Sequence, residues 1–143
     1  MKFPKIIASF FTGVLLTLAI VAFTKTRNND DGYIIEHESN IAKQEPGSHN
    51  GGGTTTAYSF FSKAADLKLI FRKRVLHPGS SIGYHLQKED EIYYIVSGHG
   101  ELTMNGKIIP VNAGDAILTR PGNSHGLKPV GNDSLVVIIN YNK

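Results

Sequence analysis

The chain of 143 residues contains no cysteine. That absence excludes disulfide bonds, a lipid-modified cysteine anchor and any thiolate metal site. If the protein is exported, its stability has to come from core packing alone. No acidic residue precedes Asp30. After residue 58 no stretch keeps the 3.6-residue apolar spacing of a helix, apart from a single turn near Ser62–Asp66. A phosphate-binding glycine–lysine loop is missing, and so is a concentrated basic stripe. The formal net charge of +3 falls to +1 once Lys2 and Lys5 go with residues 1–23. Nucleic acid is therefore not expected as a partner. A chain of this length suits one globular domain.

What is present begins with "MKFPKIIASFFTGVLLTLAIVAF", two lysines and then an uncharged run from Ile6 to Phe23. A short basic start before an apolar run is the pattern of a secretory signal, with a cleavage point after Ala22. Left uncleaved, a run of this length can span a bilayer once as an apolar helix. Residues 1–23 are therefore read as signal peptide or membrane anchor. Both readings put the domain outside the cytoplasm, periplasmic or secreted, and limit contact with the membrane to this segment. Residues 24–57 are polar and broken by glycines, and are expected to form a flexible linker in which His37 and His49 are solvated. The folded domain is expected over residues 58–143.

From Tyr58 the texture is that of strands. "LKLIFRKRVL" alternates Leu67, Leu69 and Phe71 with Lys68, Arg72 and Arg74, which predicts an apolar inner face and two arginines on a solvated face, their other reading being the wall or mouth of a pocket. Further β-rich runs cover 81–87, 91–97, 100–104, 107–111, 116–118, 125–128 and 135–141. Asn105-Gly106 is the favoured dipeptide of a two-residue hairpin turn. Short strands with a turn signal every few residues predict an all-β sandwich or barrel.

Chemistry concentrates in "GYHLQKEDEIYYIVSG", residues 83–98. Alternate residues of a strand share a face, so His85 and Gln87 point together, as do Glu91 and Tyr93 on the next strand. The Pro121-Gly122 turn leads into a third strand carrying His125. Two imidazoles, one amide oxygen and one carboxylate can then meet at one point, a shell suited to a divalent metal.

These residues resemble the two sequence motifs of the cupin superfamily. Gly79, His85, Gln87, Glu91 and Gly98 stand at the first motif's spacing, with glutamine where the second histidine is usual. Gly114, Gly122 and His125 match the second motif, although Arg120 replaces its proline. The resemblance implies a jelly-roll barrel (a double-stranded β-helix), assembled as a homodimer. It also implies a divalent iron, manganese or zinc ion held by His85, Gln87, Glu91 and His125. Metal-dependent isomerase or dioxygenase chemistry on a small polar molecule is one expectation, and a non-catalytic module that binds or senses a small ligand is the other. The pattern "GSSIG" at 79–83 lacks the strand–turn–helix setting of a hydrolase nucleophile.

Overall fold

The computed structural model describes residues 32–143. The segment expected as an apolar helix at 1–23, and the first part of the expected linker, lie outside the described residues. No helix among the described residues is long and apolar enough to cross a membrane. One compact unit runs from Ile35 to Lys143. Its strands are β1 (Ala42–Pro46), β2 (Thr54–Phe60), β3 (Leu69–Leu76), β4 (Ile82–Leu86), β5 (Glu91–Ser97), β6 (His99–Met104), β7 (Lys107–Asn112), β8 (Ala116–Thr119), β9 (Ser124–Pro129) and β10 (Leu135–Asn142). A short 3-10 turn at Glu38–Asn40 precedes them.

Six strands form one sheet in the order β1-β2-β3-β10-β5-β8, and four form the other in the order β4-β9-β6-β7. All pairings are antiparallel. Alternation decides which side chains face between the sheets. Along β5, Glu91, Tyr93 and Ile95 are buried while Ile92, Tyr94 and Val96 are exposed. Along β10, Leu135, Val137 and Ile139 point inward in the same way. They meet Leu102 of β6 and Leu127 of β9 in the shared core. Asn105 and Gly106 both have positive φ, 49° and 79°, the backbone that a tight β6–β7 hairpin demands.

Two expectations give way here. The segment 24–57 was expected to be a linker, yet from Ile35 onward it belongs to the compact unit. β1 pairs with β2 over five residues, Ala42 opposite Tyr58 through Pro46 opposite Thr54. Its polar texture reflects an edge strand, whose side chains are mostly exposed. The second correction concerns β3, which faces opposite to its apolar alternation. Leu76 and Arg74 are buried and stand opposite Leu135 and Val137 of β10, while Leu69 is exposed. Arg74 tolerates the interior because its guanidinium donates to Thr55 Oγ1 at 2.8 Å and pairs with Glu45 at 3.3 Å. The displaced apolar residues gather outside instead, where the rings of Phe60 and Phe71 lie 5.6 Å apart.

Ile95 is completely buried between the sheets, whereas Ile108 is 66% exposed on β7. Ile95→Ala is expected to lower unfolding free energy by about 2–5 kcal/mol, the range for truncating a large core residue. Ile108→Ala should stay within about 0.5 kcal/mol. Urea denaturation of the two variants reads the difference.

Candidate metal centre

Two short passages between the sheets set the site. Residues 87–90 lead from β4 to β5, and residues 120–123 lead from β8 to β9. They are tied together at one end of the sandwich. Gln87 N–H donates to the Asn123 carbonyl at 2.8 Å, and Gly122 N–H donates to the Gln87 carbonyl at 2.9 Å. Arg120 and Asp90 form an ion pair at 2.9 Å. His85 stands opposite His125 in the β4–β9 register, and Glu91 opposite Thr119 in the β5–β8 register. The seam therefore gathers side chains from both sheets.

Three of the four residues expected as ligands come together. One ligand atom from each of His85, Glu91 and His125 lies within 4.8 Å of the others. His125 Nε2 is 3.3 Å from His85 Nε2 and 3.0 Å from Glu91 Oε2. His125 is fully buried and Glu91 nearly so, while His85 is half-buried at the rim. The fourth residue, Gln87, lines the opening beside His85, and its amide has no hydrogen-bond partner among the described residues.

The far side of each ring is fixed. His85 Nδ1 lies 2.8 Å from the Gly83 carbonyl. A carbonyl can only accept, so Nδ1 carries the proton and Nε2 presents a lone pair. His125 Nδ1 lies 2.8 Å from the Thr119 hydroxyl, and the Tyr93 ring stacks on the imidazole at 5.0 Å. Although Glu91 Oε2 approaches His125 Nε2, the angle does not make a hydrogen bond, and this buried oxygen has no partner. A buried acceptor left in that state is costly. Burial, followed by the charge of Glu91 and a hydrogen bond to it, pushes the Tyr93 hydroxyl well above the usual tyrosine range. Tyr93 is therefore a neutral phenol.

Two further residues belong to this region. His49, expected in solvent, comes from the β1–β2 connection and stacks on the His85 ring at 3.5 Å with planes 2° apart. Burial, and next the His85 ring, lower its pKa, so it is neutral at pH 7. Arg74 faces the same interior, and its charge acts on both His49 and Tyr93. For Arg74 the signal was available in the pairing register but not in the local alternation. For His49 it was the triple glycine and threonines at 51–56, which resemble a turn entering a strand more than a tether. His49, His85, Gln87 and Tyr141 surround an opening of about 400 Å³.

A search against family profiles matches a cupin domain over residues 73–141. Among solved structures, a predicted oxalate decarboxylase of Thermotoga maritima superposes with a TM-score of 0.70. It is 33% identical, over 76% of this chain and 98% of that one. The chain belongs to the cupins. An oxalate-binding protein of Thermotoga maritima is 45% identical over 67 residues, which is 46% of this cupin and 55% of the relative's length. The match thus spans little more than half of that curated relative. A polyketide cyclase of Streptomyces resistomycificus shares the fold at a TM-score of 0.64 and 18% identity, over 77% of this chain and 79% of that one. The profile match begins at Lys73, so it leaves out the hairpin that carries His49.

Glu91→Gln replaces the unpartnered oxygen's charge with an amide able to donate to a ring nitrogen. The metal-free protein, assayed with a chelator present, is expected to gain roughly 1–3 kcal/mol, the cost of an unsatisfied buried group. Most buried polar substitutions go the other way. Thermal melts of the two proteins in EDTA check the sign.

Proposed function

We propose that this cupin holds one divalent iron, manganese or zinc ion through His85, Glu91 and His125, with Gln87 as a weaker fourth donor. On that ion it binds a small carboxylate of the size of oxalate. The observation that carries the reading is the convergence of Nε2, Nε2 and the partnerless Oε2. Two donor atoms each about 2.1 Å from one ion, at angles of 90–110°, lie about 3.0–3.4 Å apart. The contacts of 3.0 and 3.3 Å fall in that range. Two histidines and one carboxylate leave open positions on an ion of this class. The outer hydrogen bonds from Gly83 and Thr119 hold each imidazole in the orientation a ligand needs.

Such an ion supplies Lewis acidity for a coordinated carboxylate or carbonyl. The chain's own residues do the rest. The Arg74 guanidinium, paired with Glu45, faces the same interior. Tyr93 keeps its proton and stacks its ring on His125. The names of the two Thermotoga maritima relatives support oxalate-like ligands over isomerase or dioxygenase chemistry. Binding without turnover is the reading favoured here, in keeping with the curated relative described as an oxalate-binding protein.

Protein purified from its own cells without chelators or affinity metals should contain one transition-metal ion per chain by elemental analysis, and His125→Ala should contain none. Calorimetry on the metal-loaded protein should show oxalate binding, with no formate or carbon dioxide formed. A metal-free wild type sinks the reading, and product formation converts it into an enzyme.

Export by way of residues 1–23 and assembly as a homodimer belong to the same proposal. The outer face of the six-stranded sheet supports the second part, since Ile92, Tyr94, Val96 and Leu118 are exposed side by side on β5 and β8. Native mass spectrometry of the same preparation is expected to give twice the mass of a chain that has lost its apolar start. A monomer overturns the dimer, and recovery of the chain from the cytoplasmic fraction overturns export.

A further inference from the structure

The β1–β2 connection is built with more constraint than a surface turn needs. His49 and Asn50 both sit in the left-handed region, φ 52° and 59°, where residues other than glycine are uncommon. Gly83 N–H donates to the Ser48 carbonyl at 2.9 Å, and the Ser81 hydroxyl donates to the Gly51 carbonyl. Side-chain carbons could not be added on either side of this contact. A Cβ at Gly83 would collide with the His49 carbonyl, and one at Gly51 or Gly47 with the Ser81 carbonyl. Backbone thus packs on backbone along the start of β4, two residues before His85.

What this arrangement delivers is one imidazole over another. The His49 ring lies flat against His85 and lines the same opening as Gln87 and Tyr141. Neither His49 nitrogen has a hydrogen-bond partner among the described residues. The ring is not one of the convergent ligands, because its nitrogens do not join the cluster of His85, Glu91 and His125. Parallel stacking also rules it out as a donor to the same ion, since the ion lies in the plane of the ring that binds it and His49 occupies a different plane. An imidazole held in an unfavourable backbone conformation, with polar atoms unspent and facing a cavity, is placed for something that enters the cavity.

We propose that His49 is a ligand-binding residue, the polar roof of the pocket, whose ring N–H hydrogen-bonds a carboxylate oxygen of the molecule held at His85, Glu91 and His125. An imidazole keeps at least one N–H in either protonation state, so the role needs no titration. The inference rests on the metal-site reading above.

The test uses the full chain loaded with Mn(II), and compares wild type with His49→Ala and His49→Phe. The phenylalanine variant keeps a flat ring on His85 but has no N–H, so it separates hydrogen bonding from stacking. Metal content by elemental analysis is expected to be unchanged in both variants. The dissociation constant for oxalate by calorimetry is expected to rise about tenfold in both, the size of one hydrogen bond to a charged group. Wild-type oxalate affinity in His49→Phe overturns the proposal and leaves His49 as packing for His85. Loss of metal from either variant also overturns it, by making the residue a support of the metal shell. A wild type that takes up Mn(II) but no oxalate overturns this inference while leaving the metal site standing. A wild type that takes up no metal removes both.

Discussion

A buried imidazole nitrogen of His125, 3.3 Å from that of His85 and 3.0 Å from a Glu91 oxygen that lacks any hydrogen bond, is the centre of the arrangement on which this protein's architecture converges. A buried carboxylate oxygen without a donor loses its hydration. The barrel imposes the arrangement anyway. Register places His85 opposite His125, the connections at 87–90 and 120–123 are laced by backbone hydrogen bonds, and Thr119 and Gly83 hold the rings from behind. Holding a donorless carboxylate oxygen beside two imidazoles makes physical sense when a cation belongs between them. The same geometry would be a defect in a barrel that binds nothing.

The charge of the interior follows from that arrangement. Arg74 is 5% exposed, and its partners are Thr55 and the partly exposed Glu45. Placing an arginine inside is costly unless its donors are satisfied, and the N-terminal hairpin satisfies them. β1 and β2 therefore do two jobs. They supply the polar partners that let β3 turn Arg74 inward, and their connection carries His49 to the mouth. Neither job is visible from a strand-by-strand reading, because both depend on which strand lies beside β3.

The extent to which the sequence was legible divides along the same line. The strands from β4 to β10 and the hairpin at Asn105-Gly106 followed from β-rich runs separated by turn chemistry, and in β5 and β10 the alternation also matches burial. The convergence of His85, Glu91 and His125 followed from strand parity, which survives folding unchanged. β3 was misread because its inner face holds Arg72 and Arg74 while Leu69 and Phe71 face outward. Alternation fixes that two faces exist but not which one is buried. β1 was misread because an edge strand with charged, exposed side chains has the composition of a linker. His49 inherited that error.

Glutamine at position 87 then takes its meaning from position 49. An amide oxygen is a weaker donor to a transition ion than an imidazole nitrogen, so replacing the family's second histidine loosens one coordination position. A looser position is one that a ligand's own oxygen can take over more easily. Across the opening, the chain returns an imidazole at His49, out of coordinating reach but with its N–H free. On the proposed reading, this exchange would move nitrogen chemistry from the ion to the molecule it holds, giving up some affinity for metal and gaining a directional contact to a small anion.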